Sequence, residues 1–469
     1  MSRLRSASRT HDLKLTKPRR PRFRLAVVAA AAAALAVAGC GGSSGSSGGG
    51  TSGSSPNSAP AVNTGHIGGS ITVAVAYPSP PASALAQFTK QTGVKVNWVN
   101  VGWDDLQSKI VAASTAHSYF ADVTDVDWSK VGEYYRLGWF YPLNRYFSVA
   151  SLGSDMPQLS TFVDNGELVG LPMDSSFLVT TMNMADLRRA GITSLPTTIP
   201  QYTADLERIK KSGVVAHPLN VPLQAQEGLS TYWYETTAAF GGHVLTADHK
   251  AAFTSPSSPG YRALAWIVSA YKSGLVPPGN INMADYAALE SDMAHNLTAS
   301  SLSEYSGDVA TIYNLPSVSK VVGQVQYIPT PSVSGSPAPN LGNPDGIGIP
   351  RTAHNVAGAV AFIRWFDAPK NQALWAGANG GHDAIEGFPL PAENSGTAML
   401  AESLHGSGGI TELSKLLRTS QPVFQNGAPP WYSQFSNAVN TNIHSAAAGQ
   451  ESVAAAIQAI AQVVQSQAS

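Results

Sequence analysis

One cysteine, Cys40, serves a chain of 469 residues. No intrachain disulfide and no thiolate metal cluster can form from it, so the fold must be held by apolar burial and hydrogen bonding. Hydrophobic residues at 43% can supply a large core, while charged residues at 13% are about half the usual share. The length suggests two to three compact units. A formal net charge of −1 offers no electrostatic case for nucleic acid, and no motif calls for a cofactor.

The position of Cys40 matters more than its rarity. Basic residues run through the first 24 positions and end with Lys17, Arg19, Arg20, Arg22 and Arg24. An uncharged apolar run follows from Leu25 to Ala38 and closes on Val37-Ala38-Gly39-Cys40. A basic segment, a short apolar stretch and small residues at a cut site form the export-signal pattern. At about 14 residues the run is short for a membrane span, which needs about 20. The reading is a lipoprotein signal over residues 1–39, with Cys40 lipidated and the protein held outside the cytoplasm on the cell membrane. Arg19-Arg20 is followed by Pro21 and Arg22, which does not suit a twin-arginine signal; the general secretory route fits better. Residues 40–68 are rich in Gly and Ser and read as a flexible tether. Gly41-Gly42-Ser43-Ser44-Gly45 matches the serine-hydrolase elbow only formally, since no strand precedes it and no helix follows.

Beyond the tether, strands alternate with helices. Ile71–Ala76 reads as a strand, Ala82–Thr92 as a helix stopped by Gly93, and Val94–Val99 as a second strand. Asp104 is a candidate cap for a helix reaching Ala113, and Ala121–Val126 reads as a third strand. This alternation argues for an α/β fold with parallel strands and ligands at their carboxyl ends. The loops at Tyr77–Ser79 and Asp125–Lys130 lie there.

Several blocks, in order, resemble the family 1 extracellular solute-binding proteins of ABC importers, the group that includes maltose-binding protein. They are Phe88-Thr89-Lys90-Gln91-Thr92-Gly93-Val94-Lys95-Val96, then Asp122-Val123 through Gly132, Tyr134, Gly138 and Leu143. Gly166 to Pro172, Asn183, Gly241-Gly242, Gly346-Ile347-Gly348-Ile349-Pro350, Ala359 to Phe366 with Pro369, and Gly449 to Val464 follow. Two departures stand out: Met182 takes the place of the usual tyrosine beside Asn183, and Ser300–Ile312 matches poorly. The resemblance implies a two-lobe periplasmic-binding-protein-like fold of type II, each lobe a sheet flanked by helices, with a ligand cleft between. The chain is expected to cross near Ser175, near Gly342–Gly346 and near Asn394. One lobe then comprises residues 69–174 plus 346–394, and the other 175–345 plus 395–469.

Sugars present apolar C–H faces to aromatic rings and hydroxyls to planar acceptors and donors. On that basis, and by alignment with the family's ligand loops, the candidate ligand-binding residues are Tyr77, Asp127, Trp128, Asp174, Ser176, Glu227, Trp233, Tyr305 and Trp431. The bland readings are that Trp128 fills a lobe core, that Asp127 caps the next helix and that Tyr77 packs at a rim. Of Tyr232-Trp233-Tyr234, at least one is expected to point away from the core. Gly381-His382-Asp383 reads as a surface loop. The scattered histidines offer no pair at metal-ligand spacing. The expected role is capture of a sugar or oligosaccharide by a monomeric receptor that passes it to permease subunits. The alternatives are a same-fold receptor for a glycerol phosphate, polyamine, peptide or chelated metal, or a secreted hydrolase. Neither a zinc-protease motif nor a phosphate-binding glycine loop is present.

Overall fold

A computed structural model describes residues 67–467 apart from 284–285, 380–389 and 404–408. Residues 1–66, with the expected signal segment and Cys40, lie outside the described residues, as does the Gly381-His382-Asp383 loop. Among the described residues no helix is long and apolar enough to cross a membrane.

The strands are β1 (Ser70–Val75), β2 (Lys95–Asn100), β3 (Val123–Asp127), β4 (Val163–Asp164), β5 (Glu167–Leu168) and β6 (Leu171–Pro172). They continue as β7 (Leu178–Asn183), β8 (Ser300–Tyr305), β9 (Val325–Ile328), β10 (Leu341–Gly342), β11 (Asp345–Gly348) and β12 (Gln421–Pro422). The first lobe is built on a five-stranded sheet in the order β2-β1-β3-β11-β6. β1 is parallel to β2 and β3, as the alternating pattern predicts. Ile71, Val73, Ala74 and Val75 are all buried, which suits a strand covered by helices on both faces. β11 breaks the parallel scheme: it is antiparallel to both β3 and β6.

The helix Ala82–Thr92 ends on Gly93, whose φ of 75° is the left-handed conformation that glycine adopts without strain. The next helix starts at Trp103, so Gly102 rather than Asp104 occupies its N-cap.

The second lobe carries the antiparallel sheet β8-β7-β9. Its longest buried element is the helix Glu227–Ala239, in which every residue from Leu229 to Ala239 is buried. It packs against the helices Pro259–Lys272 and Tyr432–Ala447 and against β8. A helix enclosed on all sides has no solvent face to which a side chain can turn, and this one buries Ser230, Thr231, Glu235, Thr236 and Thr237 beside its aromatics. That overturns the expectation for the aromatic triplet: Tyr232, Trp233 and Tyr234 are all buried. Where the family resemblance is poorest, the chain forms β8 and then a wide helical turn at Val309–Tyr313.

The crossing segments lie side by side. Asp174 bridges to Pro391 and Phe177 to Gly342, and Ser175 N donates to Leu390 O at 2.9 Å. Ser175 Oγ donates to the carbonyls of Pro391 and Ala392. β10 pairs with β12 beside them. One apolar core joins β1, β3 and the 356–366 helix; another surrounds the 227–239 and 432–447 helices. A third joins Phe177 and Val179 to Ala376, Leu390 and Leu400.

Candidate functional site

The site begins where β3 ends. Every residue from Val123 to Asp127 is buried, and Asp345 of β11 lies opposite Asp127 in the antiparallel pairing. The two carboxyls therefore leave the sheet side by side. Asp127 Oδ1 accepts from Ser129 N at 2.8 Å and from the Ser129 hydroxyl. This turn, not a helix cap, is its local role, since the helix Val131–Leu137 has no side-chain cap. Burial raises the Asp127 pKa, opposed by the Ser129 bonds and by the charge of Lys130.

Tyr77 follows β1 on a loop held by two indoles: Trp98 Nε1 donates to Tyr77 O and Trp375 Nε1 to Pro78 O, each at 2.9 Å. Its hydroxyl lies 2.8 Å from Asp345 Oδ2 and 3.1 Å from Asp174 Oδ2, so one phenol proton is shared between two buried carboxyls. Asp174 Oδ1 accepts from Ser176 N at 2.9 Å and from Asp345 N at 3.2 Å. Burial nonetheless pushes the Asp174 pKa up to about 6. Ser176 is partly buried, and its carbonyl accepts from Gln158 Nε2 and Asn343 N, which ties two crossings together.

Across from these groups stands the wall of the second lobe. Glu227 sits in the first turn of its helix, where a carboxylate suits the helix dipole. Tyr432 Oη donates to Glu227 Oε1, and Ser436 Oγ donates to Oε2 at 2.6 Å. Burial raises the Glu227 pKa; the hydrogen bonds from Ser436 and Tyr432, then Lys130, lower it, and the charge of Asp127 raises it further. Trp128 reaches over from the β3 loop: its ring meets Tyr432 edge-on at 5.4 Å and Phe424 at 6.1 Å. Tyr234 closes the aromatic group, 5.6 Å from Phe424. Lys130 Nζ donates to Ser433 Oγ at 2.7 Å, and Ser433 Oγ donates to Glu133 Oε2 at 3.0 Å. Gly132 makes this approach possible, because a Cβ there would lie 2.6 Å from Ala428 O.

The structure thus brings Tyr77, Asp127, Trp128, Asp174 and Glu227 into one connected group, with Ser176 beside it on the segment that pairs with 340–343. Trp233 is elsewhere, in the core: it is fully buried, donates from Nε1 to Gly260 O at 2.9 Å and packs on Phe253. Tyr305 ends β8 opposite Leu178, with its N–H on Asp308 Oδ2. Trp431 is partly buried and faces His249 and Phe435, while its neighbour Tyr432 makes the contact with Glu227. Sequence reasoning missed Asp345, Lys130, Tyr234, Phe424 and Tyr432. Lys130 and Tyr432 were within reach of it, on the flagged loop and beside the flagged tryptophan. Asp345 lies 171 residues beyond Asp174, and only the pairing of β11 with β3 and β6 reveals it. Among the described residues no group of three or more His, Cys, Asp or Glu could hold a metal.

A family profile described as "Bacterial extracellular solute-binding protein" matches residues 72–373. Among solved structures, MalE3 of T. maritima bound to maltose is similar at a TM-score of 0.70 and 19% identity, covering 85% of this chain and 99% of that one. A solute-binding protein from Agrobacterium radiobacter in complex with ribitol has a TM-score of 0.70 and 19% identity, over 86% and 99% of the two chains. The cyclic alpha-maltosyl-1,6-maltose binding protein from Arthrobacter globiformis has a TM-score of 0.66 and 22% identity, over 85% and 98%. A search of curated proteins gave no match.

Proposed function

Because the chain belongs to the bacterial extracellular solute-binding protein family, whose members serve ABC transporters, we propose that it captures a sugar or a small oligosaccharide by closure of its two lobes and delivers it to the permease. The observation that carries this reading is Trp128. A tryptophan on the loop after β3 of the first lobe packs on Tyr432 and Phe424 of the second, beside Asp127 and Glu227. Flat apolar faces next to carboxylates are what a pyranose requires: rings for its C–H faces and acceptors for its hydroxyls. The similar structures bind maltose, ribitol and a cyclic maltosyl-maltose, which supports the same class here.

The lobes are assigned as 69–174 plus 346–394 and 175–345 plus 395–469, with Asp345, the first residue of β11, at the boundary on the first-lobe side, and hinged at the side-by-side crossings. In this reading the solute is bound and released, not transformed. Cys40 carries the lipid that holds the protein on the outer side of the membrane, as a monomer.

A thermal-shift screen against saccharides and polyols is the direct test. A ligand at a hundredfold excess over its Kd adds about 2.7 kcal/mol to stability, a shift that is easily read. Scattering should show a smaller radius of gyration in the saturated protein. If only phosphates, polyamines, peptides or metal chelates stabilise it, the receptor reading stands without the sugar. Turnover of a glycoside by the pure protein would replace the receptor with an enzyme.

A further inference from the structure

One hydroxyl of the second lobe is held by two charged residues of the first. Lys130 is the N-cap residue of the helix Val131–Leu137, and Glu133 lies in its first turn. Ser433 lies in the first turn of the second-lobe helix Tyr432–Ala447, which takes no side-chain cap of its own. The Ser433 hydroxyl accepts from Lys130 Nζ at 2.7 Å and donates to Glu133 Oε2 at 3.0 Å. Residues three apart at a helix start are placed to pair with each other. Lys130 and Glu133 do not: the ion pairs among the described residues are Arg189–Asp186, Lys250–Asp248 and Lys415–Glu412. The serine oxygen stands between the two charges instead.

The backbone on either side is shaped for this contact. Between the two charged residues is Gly132, where a Cβ would lie 2.6 Å from Ala428 O and 3.3 Å from Pro430 N. Pro429 and Pro430 have fixed φ angles, and Tyr432 N donates to Pro429 O at 2.8 Å, so Ser433 is presented by a stiff segment. Lys130 Nζ also lies 5.8 Å from the centre of the Tyr432 ring, within reach of a cation–π attraction. A hydrogen bond with one ionised partner is stronger than a neutral one. Both bonds to Ser433 are of that kind, and both join one lobe to the other.

Asp127 and Trp128 precede Lys130 on the same loop, so a grip on Ser433 also brings them to Glu227 and Tyr432. Resting on the closure reading above, we propose that Lys130, Glu133 and Ser433 are positioning residues of closure, a clamp that populates the closed form of the protein by itself. The solute then completes a shift that the clamp has begun.

Small-angle scattering of the protein alone, beside melting curves, tests this in Ser433→Ala and Ser433→Thr. Ser433→Ala is expected to raise the ratio of open to closed forms about tenfold, equivalent to about 1.4 kcal/mol. Its radius of gyration should exceed the parent's while its Tm stays close. Ser433→Thr keeps the hydroxyl and should match the parent. If Ser433→Ala fails to fold, Lys130→Met takes its place, with the same larger radius expected. An unchanged radius in the variant that removes the contact overturns the inference, as does an equal expansion in Ser433→Thr or a fall in Tm without expansion. None of these outcomes touches the receptor reading, which stands or falls on the saccharide thermal-shift screen.

Discussion

Trp128→Ala separates a ligand-binding ring from a core ring. The indole is 5% exposed, and the rings it meets, Tyr432 and Phe424, belong to the other lobe. Two aromatic pairs contribute about 1–3 kcal/mol beyond area burial. Were Trp128 an ordinary core residue, truncation to alanine would cost about 3–5 kcal/mol of folding stability. If the proposed closure is what forms those contacts, the free protein relies on them only in part. The expected stability loss is then below about 1.5 kcal/mol, the share one aromatic pair would carry. A ring stacked on the solute is a hot spot whose loss costs roughly 2 kcal/mol or more. That is about a thirtyfold rise in Kd. Calorimetric titration beside a melting curve reads both quantities on one sample. A drop of many degrees in Tm, with Kd unchanged in the molecules that stay folded, would refute the reasoning.

Gly132→Ala should obstruct closure: its Cβ would meet the Ala428 carbonyl at 2.6 Å, and overpacking of this kind costs about 1–3 kcal/mol, so titration should read weaker binding with the Tm of the free protein nearly unchanged. Asp174 has a folded pKa of about 6 against an ordinary 3.8. Its protonated form is favoured by the fold, so that contribution is complete below the unfolded pKa and lost as pH rises through 6, with an upper bound of about 3 kcal/mol. Asp174→Asn keeps an acceptor for Ser176 N and should flatten urea-measured stability between pH 4 and 7; an unchanged slope would assign the dependence to other groups. Cys40→Ser should release the protein from the membrane fraction, and a mutant that stays bound after signal cleavage would end the lipid-anchor claim.

The first lobe was legible because its signals are local. The apolar run of β1, the helix ending on Gly93 and the second strand each fall within about a residue of their expected bounds. Part of the candidate group was legible where a strand's carboxyl end points: Tyr77 and Asp127-Trp128 lie on those loops, and the structure brings them together with Asp174 and Glu227. Legibility failed where the environment, not the sequence, decides. Trp233 sits in a helix enclosed by two others and a strand, and nothing in Tyr232-Trp233-Tyr234 reveals that enclosure. Trp431 and Tyr432 are adjacent, yet on a helix start neighbours diverge, and the tyrosine is the one that turns to Glu227. Asp345 was invisible because an antiparallel strand inserted late leaves no mark on the residues around β3.

The position of β11 bears on how the protein is made. β3 and β6 leave the ribosome early, but the strand that joins them is not synthesised until the whole of β7 to β10 has passed. Until then the nascent first lobe presents two unpaired strand edges, the surface on which misassembly starts. The second lobe, translated in between, can build its own sheet first. Completion of the first is then a late, long-range event, of the slow kind that topology imposes. A polypeptide truncated just before Asp345 should therefore be captured by chaperones rather than settle into half a receptor.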